Sequence, residues 1–252
     1  MKLGLNLYSI RNLIQTEEDF FKTALALKEM GYSFVQYSGA PLEADRLKRV
    51  SAAAELPIVL THSPLDRILN DADALMEEHA RFGCKNIGLG MMPLEKMLDE
   101  EAFKKIVEEL NRAGEKMHSN GFAFFYHNHH YELRKRNGET LLTYILKNAP
   151  YVNFTLDTYW LQYGGVETLN FIGDFKDRIE CVHLKDYKLD SEHKPTFAPL
   201  GDGTMDFQKI TEKAKELGTK YFFVEQDNAA DFPEPLEEVR KSVFWAKAHL
   251  ES

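Results

Sequence analysis

Histidines and a glutamate crowd the end of one apolar segment of the chain. Residues 122–133 read FAFFYHNHHYEL, an apolar run of strand length that ends in three histidines and a glutamate within six residues. Such a run is typical of a buried strand. Imidazole and carboxylate groups are costly to bury without partners, and together they suit Zn, Mn, Fe or Co. The crowding therefore predicts a metal site, with a solvated histidine-rich loop as the alternative.

Three later segments end in the same kind of residue. VNFTLD ends in Asp157, IECVHLK carries His183 near its end, and YFFVE ends in Glu225. In each case the residue that could bind a metal stands at the carboxyl end of an apolar run. This shared position indicates that the fold gathers these ends in one place.

Eight short apolar runs alternate with longer amphipathic segments, which predicts βαβ units and a parallel sheet. The predicted strands are 2–8, 33–37, 57–62, 86–90, 122–126, 152–157, 179–185 and 221–225. The predicted helices are 17–31, 42–55, 66–82, 98–119, 139–148, 166–176, 206–217 and 235–249. Eight such units in about 250 residues are typical of an α/β protein with a single (β/α)8 TIM barrel, here one domain over residues 1–252. A doubly wound open sheet is the alternative, but NLYSIR after the first strand is not a glycine-rich phosphate turn.

Residues typical of helix ends support this alternation of strands and helices. Thr16 precedes the acidic turn EED, as an N-cap residue would. Gly31 and Gly121 each stand between a predicted helix and the next strand, where a left-handed residue ends a helix.

The bulk composition excludes several classes of protein. The formal net charge is −9 and there is no tract rich in Lys and Arg, which argues against a nucleic-acid partner. Cys84 and Cys181 stand in apolar contexts and are expected to be buried free thiols. No run reaches the length of a membrane span, and the N-terminal residues do not resemble a signal peptide, so we expect no membrane partner and a cytoplasmic protein.

A TIM barrel would bring the chemical residues together, because its active site is built at the carboxyl ends of the strands. Strands 5 to 8 would deliver His127 or its neighbours, Asp157, His183 and Glu225 to one mouth. His62 after strand 3, and Asn6 and Tyr8 after strand 1, would open onto the same mouth and are candidates for substrate contact. A strand-end histidine with ordinary partners is the alternative for His62.

The segments YHNHHYEL, LDTYWLQYGG, CVHLKD, LGDGTMDF and VEQDN resemble, in this order, the sugar phosphate isomerase/epimerase family of the xylose isomerase-like TIM barrel superfamily. The superfamily also holds tagatose epimerases, inosose dehydratases and apurinic endonucleases built on a barrel. The resemblance spans nearly the whole chain. It implies one divalent metal ion, manganese before Zn, Co, Fe or Mg, beneath a sugar.

Carried over position by position, the resemblance places Asp157, His183 and Glu225 on metal-ligand positions. Many relatives have a glutamate at the end of strand 5, where this chain has His127. Either His127 replaces that glutamate or Glu132 reaches back from the loop, and we favour His127.

The resemblance also implies a mechanism in which the metal polarises a sugar carbonyl and stabilises an enediolate. Glu225 fits the role of the general base on strand 8, and Glu132, His127 or His129 could act from the other face. Lys185 could hold the developing oxyanion, or it could reach solvent from the strand end.

Several residues carry weaker expectations. Tyr159 and Trp160 could wall the sugar or pack in the core, and Asp186 and Asp227 could orient the ligands or cap helices. GDGTMDF is expected to be a turn before a helix and supports a phosphorylated substrate only weakly. Four histidines with charged neighbours are predicted to lie on the surface: His79, His118, His193 and His249.

The function that follows is a metal-dependent isomerase or epimerase of a sugar or keto-sugar. An inosose dehydratase-like lyase and a non-catalytic sugar-binding barrel are the alternatives. An endonuclease is disfavoured, because it would need more metal ligands and a basic surface. The expected partner is a small sugar, and a homo-oligomer is consistent with relatives that are dimers or tetramers.

Overall fold

Eight parallel strands close into a barrel in the computed structural model, which describes residues 1–250. The strands are β1 Gly4–Asn6, β2 Phe34–Tyr37, β3 Ile58–Ser63, β4 Asn86–Leu89, β5 Ala123–His127, β6 Val152–Asp157, β7 Cys181–Leu184 and β8 Tyr221–Val224. Each strand pairs in parallel with the next along the chain, and Gly4 of β1 pairs with Phe223 of β8 to close the ring. The predicted α/β class and (β/α)8 TIM barrel are confirmed.

Helices follow the strands around the outside of the barrel. They are α1 Glu17–Met30, α2 Ala44–Ala53, α3 Leu65–Asn70, α4 Ala72–Arg81, α5 Glu95–Leu98, α6 Glu100–Ser119, α7 Leu141–Asn148, α8 Thr158–Tyr163, α9 Thr168–Gly173, α10 Phe207–Glu216 and α11 Pro235–Leu250. Thr16 caps α1, since its side chain accepts a hydrogen bond from the Asp19 amide at 3.1 Å. Gly31 ends this helix with a φ of 99°. Among residues 1–250, no helix is long and apolar enough to cross a membrane.

The barrel interior has an apolar layer below a polar one. The apolar layer consists of Phe34, Leu60, Phe125, Cys181 and Phe223. Two residues further along the same segments stand Gln36, His62, His127, His183 and Glu225. Because side chains on a strand alternate between its two faces, a step of two residues keeps these groups inside the barrel and moves them to its mouth. The strand period thus places the polar groups directly above a packed apolar floor. Cys84 and Cys181 are both buried and free, as expected.

Two small hairpins and three 3₁₀ helices lie in the loops at the mouth of the barrel, and the sequence patterns do not predict them. One hairpin pairs Asp186–Leu189 with Pro195–Ala198, the other pairs Lys135–Arg136 with Glu139–Thr140, and the 3₁₀ helices are Leu7–Leu13, Tyr131–Leu133 and Ala229–Asp231.

A buried carboxylate holds the base of the larger hairpin. Asp186 is buried and accepts hydrogen bonds from the backbone amides of Tyr187, Gly201, Gly203 and Met205, at 2.8–3.3 Å. Asp186 therefore holds the loop of residues 201–205, and it does not orient a metal ligand as one of the two expectations for it proposed. The segment GDGTMDF is the turn before α10 that the sequence predicts.

Most boundaries shift by a few residues from the predictions, and three differences concern the path of the chain or the burial of a residue. Strand β1 ends at Asn6, whose side chain accepts a hydrogen bond from the Tyr8 amide at 3.2 Å and turns the chain into a 3₁₀ helix. The predicted helix 66–82 is two helices, α3 and α4. His118, His193 and His249 are exposed, but the surface prediction for His79 is wrong. His79 is buried on α4, because it lies one turn after Leu75 on the apolar face. Its ring lies 2.7 Å from both the Leu75 carbonyl oxygen and Thr61 Oγ1.

Candidate active site

Four ligand-type side chains meet at the carboxyl ends of the last four strands. They belong to His127, Asp157, His183 and Glu225, and one donor atom from each lies within 4.8 Å of every other. All four residues are buried. Residues a hundred positions apart in the sequence therefore form one compact cluster, the four-donor cluster.

The imidazole protons of this cluster point away from its centre. His127 Nδ1 lies 2.8 Å from the Gly90 carbonyl oxygen, and His183 Nε2 lies 2.7 Å from Gln36 Oε1. Both partners are oxygens that can only accept, so each of these nitrogens carries a proton. His127 Nε2 and His183 Nδ1 consequently face the cluster, where a cation can bind their lone pairs.

The two carboxylate oxygens of Asp157 make different contacts. Oδ1 accepts a hydrogen bond from the Trp160 amide at 3.0 Å and caps α8. Oδ2 points into the cluster, at 3.3 Å from His127 Nε2 and 3.7 Å from His183 Nδ1. The Asp157 amide in turn donates to Asn128 Oδ1 at 2.9 Å. This carboxylate is therefore held by the fold before any ligand binds.

Lys185 is the buried cation of the site. It is 1% exposed, and its Nζ lies 2.7 Å from Asp227 Oδ1, 3.5 Å from Asp157 Oδ2 and 3.6 Å from Glu225 Oε1. The alternative of a lysine that reaches solvent is wrong. Burial alone lowers the pKa of Lys185, but the three carboxylates outweigh it and raise the pKa above its ordinary value.

The carboxylates respond in opposite directions. Burial alone would raise the pKa of both Asp157 and Glu225. The Lys185 ammonium and the neighbouring histidines outweigh burial and lower both pKa values, so both groups are ionised. For Asp227 burial dominates and raises the pKa to about 6. Burial lowers the pKa of His183, but Glu225 and Asp157 outweigh it and raise this pKa to about 9.

A divalent cation fits this arrangement. His183 Nδ1 and Glu225 Oε2 are buried and pair with each other at 2.5 Å, and neither atom has a further hydrogen-bond partner among residues 1–250. Three carboxylates surround one ammonium, so once His183 has lost its extra proton, as a metal ligand must, two negative charges remain for a dication to neutralise. Two imidazoles and two carboxylates are a donor set that suits Mn, Fe, Co or Zn.

A cavity of about 420 Å³ opens above the four-donor cluster. Its polar lining includes Tyr8, Ser38, His62, His129 and Asp227, together with Lys185 and Glu225. One side of the cavity is apolar, formed by Pro64, Leu65, Leu89 and Met91. The size suits a monosaccharide-sized ligand in contact with the cluster.

The structure places the two candidates of the strand 5 loop in different positions. Glu132 lies outside the four-donor cluster, where its carboxylate accepts hydrogen bonds from Tyr126 Oη at 2.7 Å and from the His129 amide at 2.9 Å. His129 faces the cavity, and its Nδ1 is buried without a partner among the described residues. Burial lowers the pKa of His129 to about 2, so the ring is neutral.

Aromatic side chains surround the ammonium of Lys185. The Trp160 ring lies 5.1 Å and the Phe197 ring 4.9 Å from Lys185 Nζ. Tyr159 is buried against Phe197, with ring centroids 4.3 Å apart. Trp160 contacts the His129 ring at 5.2 Å, so it stands beside the cavity. Asn6 is buried below the mouth, and its Nδ2 has no partner within residues 1–250.

The sequence patterns missed two residues of the mouth, Gln36 and Ser38. Gln36 is fully buried and contacts both His183 and His62, and Ser38 contacts His62. Their one signal is position, since both lie at or just after the end of β2, on the same edge as the ligand-type residues.

Comparison with known proteins agrees with the barrel fold. Residues 24–249 match the family model of the xylose isomerase-like TIM barrel. A sugar phosphate isomerase/epimerase from Parabacteroides distasonis superposes with a TM-score of 0.83 at 23% identity, covering 98% of this chain and 93% of that one. A probable 3-DHS dehydratase from Bacillus anthracis gives a TM-score of 0.75 at 14% identity, covering 98% of each chain. These two likenesses show the fold alone.

A curated relative adds a second activity to the comparison. An inosose dehydratase from Clostridium perfringens is 26% identical over 166 residues, which cover 60% of this chain. The chain spans little more than half the length of that relative, 56%.

Proposed function

The chain belongs to the xylose isomerase-like TIM barrel family, and from this premise we propose that it is a divalent-metal-dependent isomerase or epimerase of a keto-sugar. The observation that carries the proposal is the four-donor cluster, whose imidazoles are held from outside by Gly90 and Gln36 and whose donor atoms converge under a sugar-sized cavity. A cation held there would supply Lewis acidity to a sugar carbonyl. The remaining steps fall to side chains of the chain itself.

Proton removal next to that carbonyl needs a base within reach on the correct face of the sugar. Glu225 lies at the β8 side of the cavity and is ionised. His129 lies at the β5 side as a neutral imidazole. Because burial lowers its pKa to about 2, it would take up a proton only with the negative charge of the reacting sugar beside it. Two such groups on opposite sides support proton exchange at one carbon, the basis of epimerisation. Glu132 acts as the positioning residue that holds the His129 loop.

Lys185 supplies fixed positive charge beside the reaction. Its ammonium faces the same cavity and is clamped by three carboxylates. A buried charge that is already oriented stabilises negative charge on a sugar oxygen without reorganisation.

Dehydration of a cyclic keto-sugar is the second candidate. The end of β5 carries His127 rather than a carboxylate, whereas the β7–β8 side carries Glu225, Lys185 and Asp227 together. This one-sided arrangement supports removal of a proton and departure of a hydroxyl group on the same side. The inosose dehydratase relative supports the same alternative.

Proton exchange with solvent separates the two candidates. We would load the purified protein with Mn²⁺ or Co²⁺, incubate it in deuterated water with ketohexoses and an inosose, and follow the sugars by NMR. Deuterium beside the carbonyl together with a new epimer or isomer supports the first candidate. Loss of water supports the second. A loaded protein that does neither overturns both and leaves a sugar-binding barrel; the Asp157→Ala/His183→Ala double variant is the control.

A further inference from the structure

A chain of hydrogen bonds leads from the four-donor cluster to the sugar cavity. His183 Nε2 lies 2.7 Å from Gln36 Oε1, and Gln36 Nε2 lies 2.6 Å from His62 Nε2. His62 Nδ1 lies 3.2 Å from Ser38 Oγ. The four residues, which we term the Gln36 relay, come from strands β2, β3 and β7 and from the residue that follows β2. Ser38 and His62 both line the cavity.

The chemistry of the amide sets the direction of every bond in the Gln36 relay. An amide oxygen only accepts, so His183 must donate from Nε2. An amide nitrogen only donates, so His62 must accept at Nε2. A neutral imidazole with a lone pair on Nε2 carries its proton on Nδ1, and His62 therefore donates to Ser38 Oγ. Loss of water around its ring and the neighbouring His127 and His183 lower the pKa of His62 well below its ordinary value, so the ring is neutral.

We infer that Gln36 is a positioning residue that aims His183 Nδ1 at the metal and, through His62, leaves the Ser38 hydroxyl proton free to donate to an oxygen of the sugar. The sugar half of this inference rests on the proposed function; the metal half needs only the cluster. Ser38 Oγ accepts from His62, so its own proton is available to the cavity. His62 has no free lone pair and does not serve as a base.

A zinc titration tests the metal half without turnover. We would measure the Zn²⁺ Kd of the wild type, of Gln36→Met and of Gln208→Met, which makes the same change at an exposed glutamine on α10. Loss of a hydrogen-bond partner behind a ligating histidine weakens metal binding about 10–100-fold, and we expect this for Gln36→Met alone. Wild type that takes up no zinc overturns the proposed metal function. Wild type that binds zinc and a Gln36→Met variant within about threefold of it overturn the positioning role.

Histidine NMR tests the direction of the relay. In the zinc-loaded, ¹⁵N-labelled protein, two-bond ¹⁵N–¹H correlation should show His62 protonated at Nδ1 only and His183 protonated at Nε2 only. The His62→Asn and His183→Asn variants assign the two signals. A His62 ring protonated at Nε2 overturns the inferred direction.

Ser38 tests the sugar half, once a substrate responds in the exchange assay. We expect Ser38→Ala to raise KM about tenfold, the size of one lost hydrogen bond of about 1.4 kcal/mol, with the Zn²⁺ Kd unchanged. Ser38→Thr keeps the hydroxyl and should recover most of that loss. An unchanged KM in Ser38→Ala overturns the donor role of Ser38 and leaves the metal half standing.

Discussion

The two halves of the barrel mouth differ in the kind of group they present. The half built from β5–β8 presents ionisable groups: His127, His129, Asp157, His183, Lys185, Glu225 and Asp227. The half built from β1–β4 presents groups that stay neutral: Asn6, Gln36, Ser38, His62 and the carbonyl of Gly90. The late half thus carries the charged groups of the site, and the early half fixes the orientation of the His127 and His183 rings. Buried charges without partners are far costlier than unpaired neutral groups, so the two halves should differ in their response to mutation.

The largest effect should come from a cluster carboxylate of the late half. Asp157→Asn keeps an oxygen to cap α8 but removes a negative donor at the centre. We expect metal affinity to fall by more than the roughly 100-fold that follows loss of an outer hydrogen-bond partner, and turnover to fall with it. Elemental analysis and metal titration measure this, with exposed Asp202→Asn as the matched control. Full metal content in Asp157→Asn would contradict the role of the late half.

Removal of the buried ammonium should destabilise the metal-free protein. Lys185→Met leaves Asp157, Glu225 and Asp227 without their shared cation. Loss of one partner from a buried charge network costs about 3–5 kcal/mol of unfolding free energy, and saturating Mn²⁺ should restore part of it. Urea denaturation with EDTA and with Mn²⁺ measures both. The surface pair of Lys220 with Glu180 gives the control Lys220→Met, which should cost at most about 1 kcal/mol. Equal losses of unfolding free energy in Lys185→Met and Lys220→Met would show that the buried ammonium stabilises the protein no more than a surface lysine does.

Metal affinity should depend on pH through His183. Its pKa is raised to about 9, so below that pH a cation must displace a proton from Nδ1. The apparent affinity should therefore rise about tenfold per pH unit, roughly a hundredfold from pH 7 to pH 9, and then level off. In the metal-free protein the raised pKa stabilises the fold below the ordinary imidazole value, and this stability is lost as the pH rises through about 9.

Calorimetric titration in buffers of different ionisation enthalpy counts the proton released. His62 should release none, because its pKa is lowered well below the ordinary value and the ring stays neutral. An affinity that is flat from pH 7 to pH 9 would show that His183 holds no proton to displace.

The smallest effect should come from a crowding change in the early half. A Cβ on Gly90 would lie 2.8 Å from His62 Nδ1 and 3.0 Å from its Cγ, so the ring must shift. We expect Gly90→Ala to raise KM for the sugar about tenfold, or about 1.4 kcal/mol, and to change the metal Kd by less than about threefold. Gly173→Ala, where a Cβ meets nothing within 4 Å, is the control. A larger loss of metal than of sugar affinity would mean that the early half holds the cluster itself.

The fold and the late half of the mouth could be predicted because their sequence patterns are unlikely to arise by chance. Eight apolar runs of strand length specify the barrel, and histidines and carboxylates at strand ends are expensive to bury without a purpose. The resemblance to the family rests on those same residues, and the family match confirms it.

The early half is harder to predict because its groups are neutral and inexpensive to bury. Gln36 is the third residue of FVQY, and its residue type does not mark it as functional, although the two-residue step from Phe34 places it on the inner face. The choice between His127 and Glu132 depended on the path of the loop, which the structure sets by pairing Glu132 with Tyr126. The two strands of the hairpin, DYKL and PTFA, have only four residues each, too few for a recognisable strand pattern. The surface prediction for His79 rested on its charged neighbours, whereas its place one turn after Leu75 puts it on the buried face.

The carboxylate of Asp186 separates the fixed base of the larger hairpin from its exposed tip. It ties the loop of residues 200–205 to the first residue of the hairpin, two positions after the end of the strand that carries His183. Insertions at the hairpin tip, residues 190–194, would leave that anchor and the four donors in place. The hairpin tip can therefore change in length without moving the side chains of the site, so this part of the mouth is the one where the fold tolerates insertion.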